Sequence, residues 1–195
     1  SIHAGLKGKT KADFIDEGVP FITYMDVFSD KAKHGAGSGR VRVEMGEQQF
    51  TVMRGDILFT GSSESLDEVG TTTVILNSPA EDTYLNSFCF ALRPIPALDI
   101  DSGYARHVLK GDYVRKQIVG CGQGVTRVNI SKASLLKVVI PVPEIDEQKR
   151  IAEMLDEFDA LVNDISVGLP AEIAARRKQY EYYRNQLLSF EEIPA

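Results

Sequence analysis

From Ile151 onward, apolar residues fall at Met154 or Leu155, Phe158, Leu161 or Val162, and Ile165, alternating steps of three and four over two heptads. Only an α-helix gathers such a series into one stripe, and this stripe is wide enough for a bundle seam. Pro143 and the acidic Glu144, Asp146 and Glu147 just before it suit the positive end of a helix dipole, so a long helix is expected to start there. Further on, Ile173, Tyr180 and Leu187 repeat at seven, with Tyr183 and Leu188 beside them. The step from Ile165 to Ile173 is eight, and the slip falls at Gly168-Leu169-Pro170. Proline is tolerated in the first turn of a helix and costly in its interior. The pattern therefore predicts two helices meeting at a kink or short break, an arm of roughly 65 Å if laid end to end at 1.5 Å per residue.

The residues before the arm read as mixed strands and helices. VPFITYMDVF (Val19 to Phe28) combines β-branched and aromatic residues as a strand does, and a glycine-rich loop follows at His34 to Gly39. RVRVEM alternates, and QQFTVMRGDILFTG gives strand, turn and strand around Arg54-Gly55-Asp56. TTTVILN and YLNSFCFALRP are further strand candidates, the second ended by Pro94, and KVVIPVP is expected to return to the sheet. In SGYARHVLKGDYVRKQIVG the helical spacing of Tyr104, Val108, Leu109, Val114 and Ile118, punctuated by Gly111 and Gly120, predicts two short helices. GCGQGVTRVNI reads as a glycine-rich turn. The expected class is α+β: a sheet-rich globular domain over residues 1–143 and a helical arm over 144–195, kinked near Pro170.

Composition bounds the function classes. A chain of 195 residues with 43% apolar and 26% charged residues can bury a core, and no apolar run approaches the roughly 18 residues of a membrane span. A soluble chain without a membrane partner, cytoplasmic by default, is expected. Cys89 and Cys121 lack metal-site spacing and read as buried thiols. The net charge of −6 argues against nucleic acid only on average, because residues 1–143 hold 16 basic against 16 acidic residues while 144–195 hold 6 against 12. Lys7, Lys9 and Lys11, then Lys31, Lys33, Arg40 and Arg42, then Arg106, Lys110, Arg115, Lys116 and Arg127 form local basic groups. Such groups are more often scattered surface charge than a binding face.

Catalytic signatures are missing. GCGQG lacks the lysine of a phosphate-binding loop and the G-x-G-x-x-G order of a dinucleotide site, and GSSES is not a nucleophile elbow. His3, His34 and His107 have no partners at metal-ligand spacing, so no metal is expected. Glu64, Asp67 and Glu68 read more simply as surface charge on a polar loop than as an acid–base pair.

One stretch carries a resemblance. PVPEIDEQKRIAEMLDEFDALVNDISVGLPAEIAARRKQYEYYRNQLLSF resembles the helical region of the specificity subunits of type I restriction-modification systems, in which an "IP-x-P…EQ-x-RI" stretch opens a long helix and "LPAEI-x-ARR-x-QYEYYR-x-LL" closes the region. GKTKADFIDEGVPFITYMDVF, RGDILFTGSSES, LNSFCFALRP and GQGVTRVNISKASLLKVVIPVP resemble successive segments of that family's target recognition domain. The resemblance implies a non-catalytic subunit that reads double-stranded DNA and docks methyltransferase and restriction subunits. S-adenosylmethionine, ATP and Mg are implied for those partners only. Family members usually have two recognition domains and two helical regions, whereas this sequence has one of each, as a natural half-subunit or a piece of a longer chain would.

Two half-chains are then expected to pair through their arms as an antiparallel coiled coil or bundle and to read a bipartite, palindromic target. The expected homodimer seam comprises Ile151, Leu155, Phe158, Leu161, Val162, Ile165, Ile173, Tyr180 and Leu187. Lys7, Lys9, Lys11 and Arg40 are the expected phosphate contacts, with Ser62, Ser63, Glu64 and Ser65 of the GSSES loop and Gln123, Thr126 and Arg127 of the glycine turn for DNA reading. Arg176, Arg177, Tyr182 and Arg184 are the expected methyltransferase-docking residues. A scaffold protein that binds a partner helix without DNA is the alternative, and a free-standing methyltransferase or nuclease would need the missing catalytic motifs.

Overall fold

In a computed structural model, residues 1–164 and 170–189 are described, apart from the side chains of 163, 164, 170, 171 and 173. The elements run β1 (Ile2–Ala4), β2 (Val19–Ile22), α1 (Tyr24–Phe28), β3 (Gly39–Val41), β4 (Ile57–Thr60), β5 (Ser62–Ser63), β6 (Thr72–Val74), β7 (Tyr84–Leu85), β8 (Cys89–Leu92), α2 (Ser102–Val108), α3 (Asp112–Val119), β9 (Gly122–Gln123), β10 (Val128–Ile130), α4 (Lys132–Leu135), α5 (Ile145–Asp164) and α6 (Pro170–Leu187). Short 3₁₀ turns at Lys11–Asp13 and Lys31–His34 complete the order. The fold is α+β. Packing divides the chain into one unit of Ser1–Leu98 with Ile118–Lys137 and another of Asp99–Gln117 with Val138–Ala195. A single cut at residue 143 therefore does not describe it, because α2, most of α3 and the Val138–Pro143 segment group with the long helices.

The first unit holds all the strands among the described residues. A four-stranded sheet has the order β1-β8-β4-β6, and two three-stranded sheets have the orders β3-β2-β7 and β5-β10-β9. Every pairing is antiparallel except β2 with β7. Ile22, Val27, Leu58, Ile75, Leu85 and Ala91 are buried together as its main core, with Tyr24 and Phe50 packed against them. Phe59 and Phe90 face each other across β4 and β8 with rings stacked at 5.0 Å. Both cysteines are buried and unbonded to each other, and burial pushes the Cys89 thiol up to about 12.

Several expected strands are shorter than their sequence patterns. VPFITYMDVF is a strand only to Ile22, because Thr23 caps a helix: its hydroxyl accepts from the Asp26 backbone N–H while the Asp26 carboxylate accepts from Thr23 N–H at 2.8 Å. A capping box thus overrides the β-branched and aromatic composition. YLNSFCFALRP splits into β7 and β8, which belong to different sheets, at an Asx turn where Phe88 N–H donates to Asn86 Oδ1 at 2.9 Å. In QQFTVMRGDILFTG only the second strand forms fully, Thr51 making an isolated bridge to Tyr84. The turn between is fixed by Asp56, fully buried and gripped by both Nε and Nη2 of Arg93 at 2.7 and 2.8 Å.

In the second unit, α2 and α3 lie where the helical spacing predicts them. KVVIPVP forms no strand, since its carbonyls and amides are taken by side chains. Gln117 bonds both the N–H and the carbonyl of Val139, and the Tyr104 hydroxyl donates to Pro141 O. α5 opens with Gln148, almost fully buried, which donates to Asp99 O and Pro143 O and accepts from Asp101 N–H. Asp101 in turn caps α2 through Tyr104 N–H. The glutamine of the "EQ-x-RI" pattern therefore joins the starts of two helices.

The extended arm does not form. α6 runs back alongside α5, with the Phe158 and Tyr183 rings stacked at 5.9 Å. Tyr180, Tyr183 and Arg184 stand at i, i+3 and i+4, so one face of QYEYYR turns toward α5 and Tyr182 points out. Beyond α6, Leu188 is buried against Gly111. Covering its own aromatic face offsets the entropy of ordering a helix better than leaving that face in water. Ile165 lies outside the described residues.

Candidate nucleic-acid interface

Two of the expected reading segments meet in the first unit. β10 pairs with β5 through Val128 with Ser63 and Asn129 with Ser62, and with β9 through Asn129 with Gln123. Alternation along β10 buries Val128 and Ile130 and exposes Asn129, with Arg127 exposed just before it. Gly124 shapes the turn at φ +117, and a Cβ there would lie 2.3 Å from the Arg127 carbonyl oxygen. Only glycine fits.

Arg127 is held from two sides. Its Nε donates to Ser62 Oγ at 3.1 Å, and its guanidinium carbon lies 5.2 Å from the centre of the Phe88 ring. Tyr24 fixes the other side of β5 by donating its hydroxyl to Ser62 O at 3.0 Å. These residues, with Ser63, Glu64 and Glu68, line an open cleft of about 340 Å³. A neighbouring cleft of about 280 Å³ shares Ser62 and Phe88 with it and adds Ser87, Asn129 and Lys132, whose ammonium sits 5.1 Å from the centre of the Phe90 ring. The surface combines exposed amide, guanidinium, ammonium, carboxylate and one half-exposed aromatic.

The expected DNA-contacting residues divide by position. Ser62 and Ser63 are buried, so they orient neighbours: Ser62 holds Arg127, and Ser63 donates to Glu68 Oε2 at 3.2 Å and accepts from Ser65 N–H. Glu64, Gln123, Thr126 and Arg127 are exposed and Ser65 is half-exposed. Lys7 and Lys11 are exposed. Lys9 is only 8% exposed along its side chain because Glu47 takes its ammonium. That contact, then Gln49 and the Glu44 N–H, holds the Glu47 carboxyl down to about 2. Arg40 donates to Gly18 O and lies 3.6 Å from Glu81. Tyr24, Phe88, Asn129 and Lys132 were not singled out from sequence. The Asn86-Ser87 turn, which leaves the aromatic Phe88 outside a strand, is the signal that was available.

In the second unit, much of the expected dimer seam is used within the chain. Ile151 and Leu155 are buried, Phe158 is taken by Tyr183, and Tyr180 and Leu187 are partly buried. Leu161 remains 55% exposed and Val162 half-exposed, and the Ile173 side chain lies outside the description. Of the expected docking residues, Arg176 is exposed and pairs with Glu172 one turn away, while Arg177 and Tyr182 are exposed. Arg184 turns inward instead, stacked on Tyr180 and 3.7 Å from Asp112, because its position on the QYEYYR face points it at the packed side. Arg106 bridges Asp156 and Asp159 of α5 at 2.8 Å each, and His107 Nε2 lies 2.7 Å from the same Asp156. His107, Asp156 and Asp159 are close enough to share a cation, but the Arg106 guanidinium already bonds an oxygen of each carboxylate. Among the described residues no helix is long and apolar enough to cross a membrane.

A family model, Methylase_S, the type I restriction modification DNA specificity domain, matches residues 3–175. The chain belongs to this family. It is 32% identical over 199 residues to the Escherichia coli type I restriction enzyme EcoR124I/EcoR124II specificity subunit, a match covering 95% of this chain and 45% of that one. A putative type I restriction enzyme specificity subunit of Haemophilus influenzae is 44% identical over 71 residues, covering 36% of this chain and 18% of that one. Among solved structures, the HsdS subunit of Thermoanaerobacter tengcongensis superposes with a TM-score of 0.57 at 20% identity, covering 96% of this chain and 42% of that chain. The type I restriction-modification S subunit of M. genitalium gives 0.55 at 18% identity, covering 86% and 38%. The chain thus spans less than half the length of these relatives, and the likeness to their structures is one of fold.

Proposed function

We propose that this chain is a half-length specificity subunit that recognises double-stranded DNA and brings methyltransferase and restriction subunits of a type I restriction-modification enzyme to it. The observation that carries the reading is the meeting of the GSSES and GQGVTR segments around Arg127, in a chain whose family is defined by DNA specificity. The first unit reads one half of the target. Lys7, Lys11 and Arg40 are the available phosphate cations, and the Arg127 cleft faces base edges. Catalysis belongs to the partner subunits, with their S-adenosylmethionine, ATP and Mg.

The second unit pairs with the same unit of another chain. Since Ile151, Leu155 and Phe158 are spent internally, the pairing surface comprises the exposed part of α5 around Leu161 and Val162. Twofold symmetry makes the target bipartite and palindromic, with the helices setting the gap. Arg176, Arg177 and Tyr182 are the surface offered to a methyltransferase subunit.

Methylation mapping in DNA exposed to the chain with its methyltransferase subunits tests this reading. A symmetric, interrupted motif is the expected result, and methylation without sequence preference would refute it. Sedimentation of Leu161→Asp tests the pairing separately: a wild-type dimer turned monomer is expected, and an unchanged dimer would move the interface elsewhere.

A further inference from the structure

Resting on that reading, the geometry points to a more specific role: we propose that Arg127 and Glu64 read a G·C base pair through the major groove. Arg127 spends only Nε within the protein, on Ser62 Oγ. Its two Nη groups have no hydrogen-bond partner among the described residues, while the guanidinium carbon lies 5.2 Å from the centre of the Phe88 ring. The result is a guanidinium held through Nε at an open cleft with both Nη groups left to donate, the pair of donors that the O6 and N7 acceptors of guanine require.

Glu64 supplies the complementary half of the argument. It lines the same cleft, is exposed, and forms no hydrogen bond or ion pair among the described residues, with Arg127 or with any other group. Glu68, by contrast, is engaged by Ser63. A free carboxylate is repelled by phosphates, so a DNA-facing position suits it only where it can accept a hydrogen bond. In the major groove the cytosine N4 amino group provides that donor. A guanidinium and a carboxylate lining one cleft thus offer donors for the acceptor pair of guanine and an acceptor for the amino group of its cytosine partner. Asn129, next exposed on β10, is partly occupied by the Arg127 carbonyl at 3.4 Å and is not part of the pair.

The test is selection from randomised duplex DNA by the chain assembled with its methyltransferase subunits, comparing wild type with Arg127→Ala, Arg127→Lys and Glu64→Gln, each first checked for an unchanged melting temperature. Wild type should select a motif with a guanine in each half. Both Arg127 variants should lose discrimination at that guanine by about 5- to 100-fold, while the other positions hold. Glu64→Gln should relax the same base pair. If Arg127→Ala keeps the guanine, or lowers affinity evenly across all sequences, Arg127 is not a base contact and the assignment is overturned. A wild-type motif without guanine overturns it as well. If wild type selects no motif at all, the failure lies in the DNA-reading function itself, and the assignment falls with it.

Discussion

The rings of Phe158 on α5 and Tyr183 on α6 lie nearly parallel, with centroids 5.9 Å apart. This contact decides that the two helices form a hairpin instead of an extended rod. Stacked aromatic pairs contribute about 0.5–1.5 kcal/mol beyond the area they bury. A double-mutant cycle with Phe158→Ala and Tyr183→Ala, followed by urea unfolding, should give a coupling energy of that size. A coupling near zero would mean that the helices are held together elsewhere.

Asp56 and Arg93 should be far more sensitive than the exposed ion pairs. Asp56 is fully buried, and its partner also donates to Thr51 O at 3.1 Å. Removing one member of a buried pair leaves the other unsatisfied at a cost of about 3–5 kcal/mol. Arg93→Ala should therefore shift the denaturant midpoint strongly, while Arg150→Ala, whose bond to Glu147 is solvent-exposed, should change stability by no more than ~0.5 kcal/mol.

Acid sensitivity should involve Asp26. Burial pushes its carboxyl up, but the hydrogen bonds from Ser38 and Thr23 prevail and hold it below its ordinary value of 3.8. A carboxyl depressed in the folded state stabilises above its unfolded value and loses that contribution as pH falls through the folded one. The wild type should thus lose stability below about pH 4 in a limb that Asp26→Asn flattens, as read from midpoints measured between neutral and acid pH. The substitution also lowers stability at neutral pH, where the charged acceptor is lost.

Gly124→Ala should disturb the reading surface without unfolding the domain. The residue sits at φ +117, with the Arg127 carbonyl oxygen where the new methyl would go. Strain of this kind costs about 1–3 kcal/mol, confined to the turn between β9 and β10. Hydrogen exchange should accelerate at Val128 and Ile130 while β4 and β8 stay protected, and DNA affinity should fall.

Parts of this molecule were legible in the sequence for definite reasons. The spacing of Tyr104, Val108, Leu109, Val114 and Ile118 is a local signal, so α2 and α3 could be read. That α6 packs along α5 depends on contacts such as Phe158 with Tyr183, between residues that no local period joins. The strands were overdrawn because β-branched composition says nothing of where a cap begins, as at Thr23. At the candidate site, Arg127 and Glu64 stood out as polar loop residues. Phe88 did not, since an aromatic beside a strand reads as core until its burial is known.

The division of the chain places Ser62 and Arg127 in one unit although the segment between them, Asp99 to Gln117, belongs to the other. A graft intended to transfer target preference must therefore carry both Ser1–Leu98 and Ile118–Lys137. Moving the first piece alone would set one protein's Ser62 and Phe88 against another protein's arginine, and the chimaera would inherit neither parent's recognition.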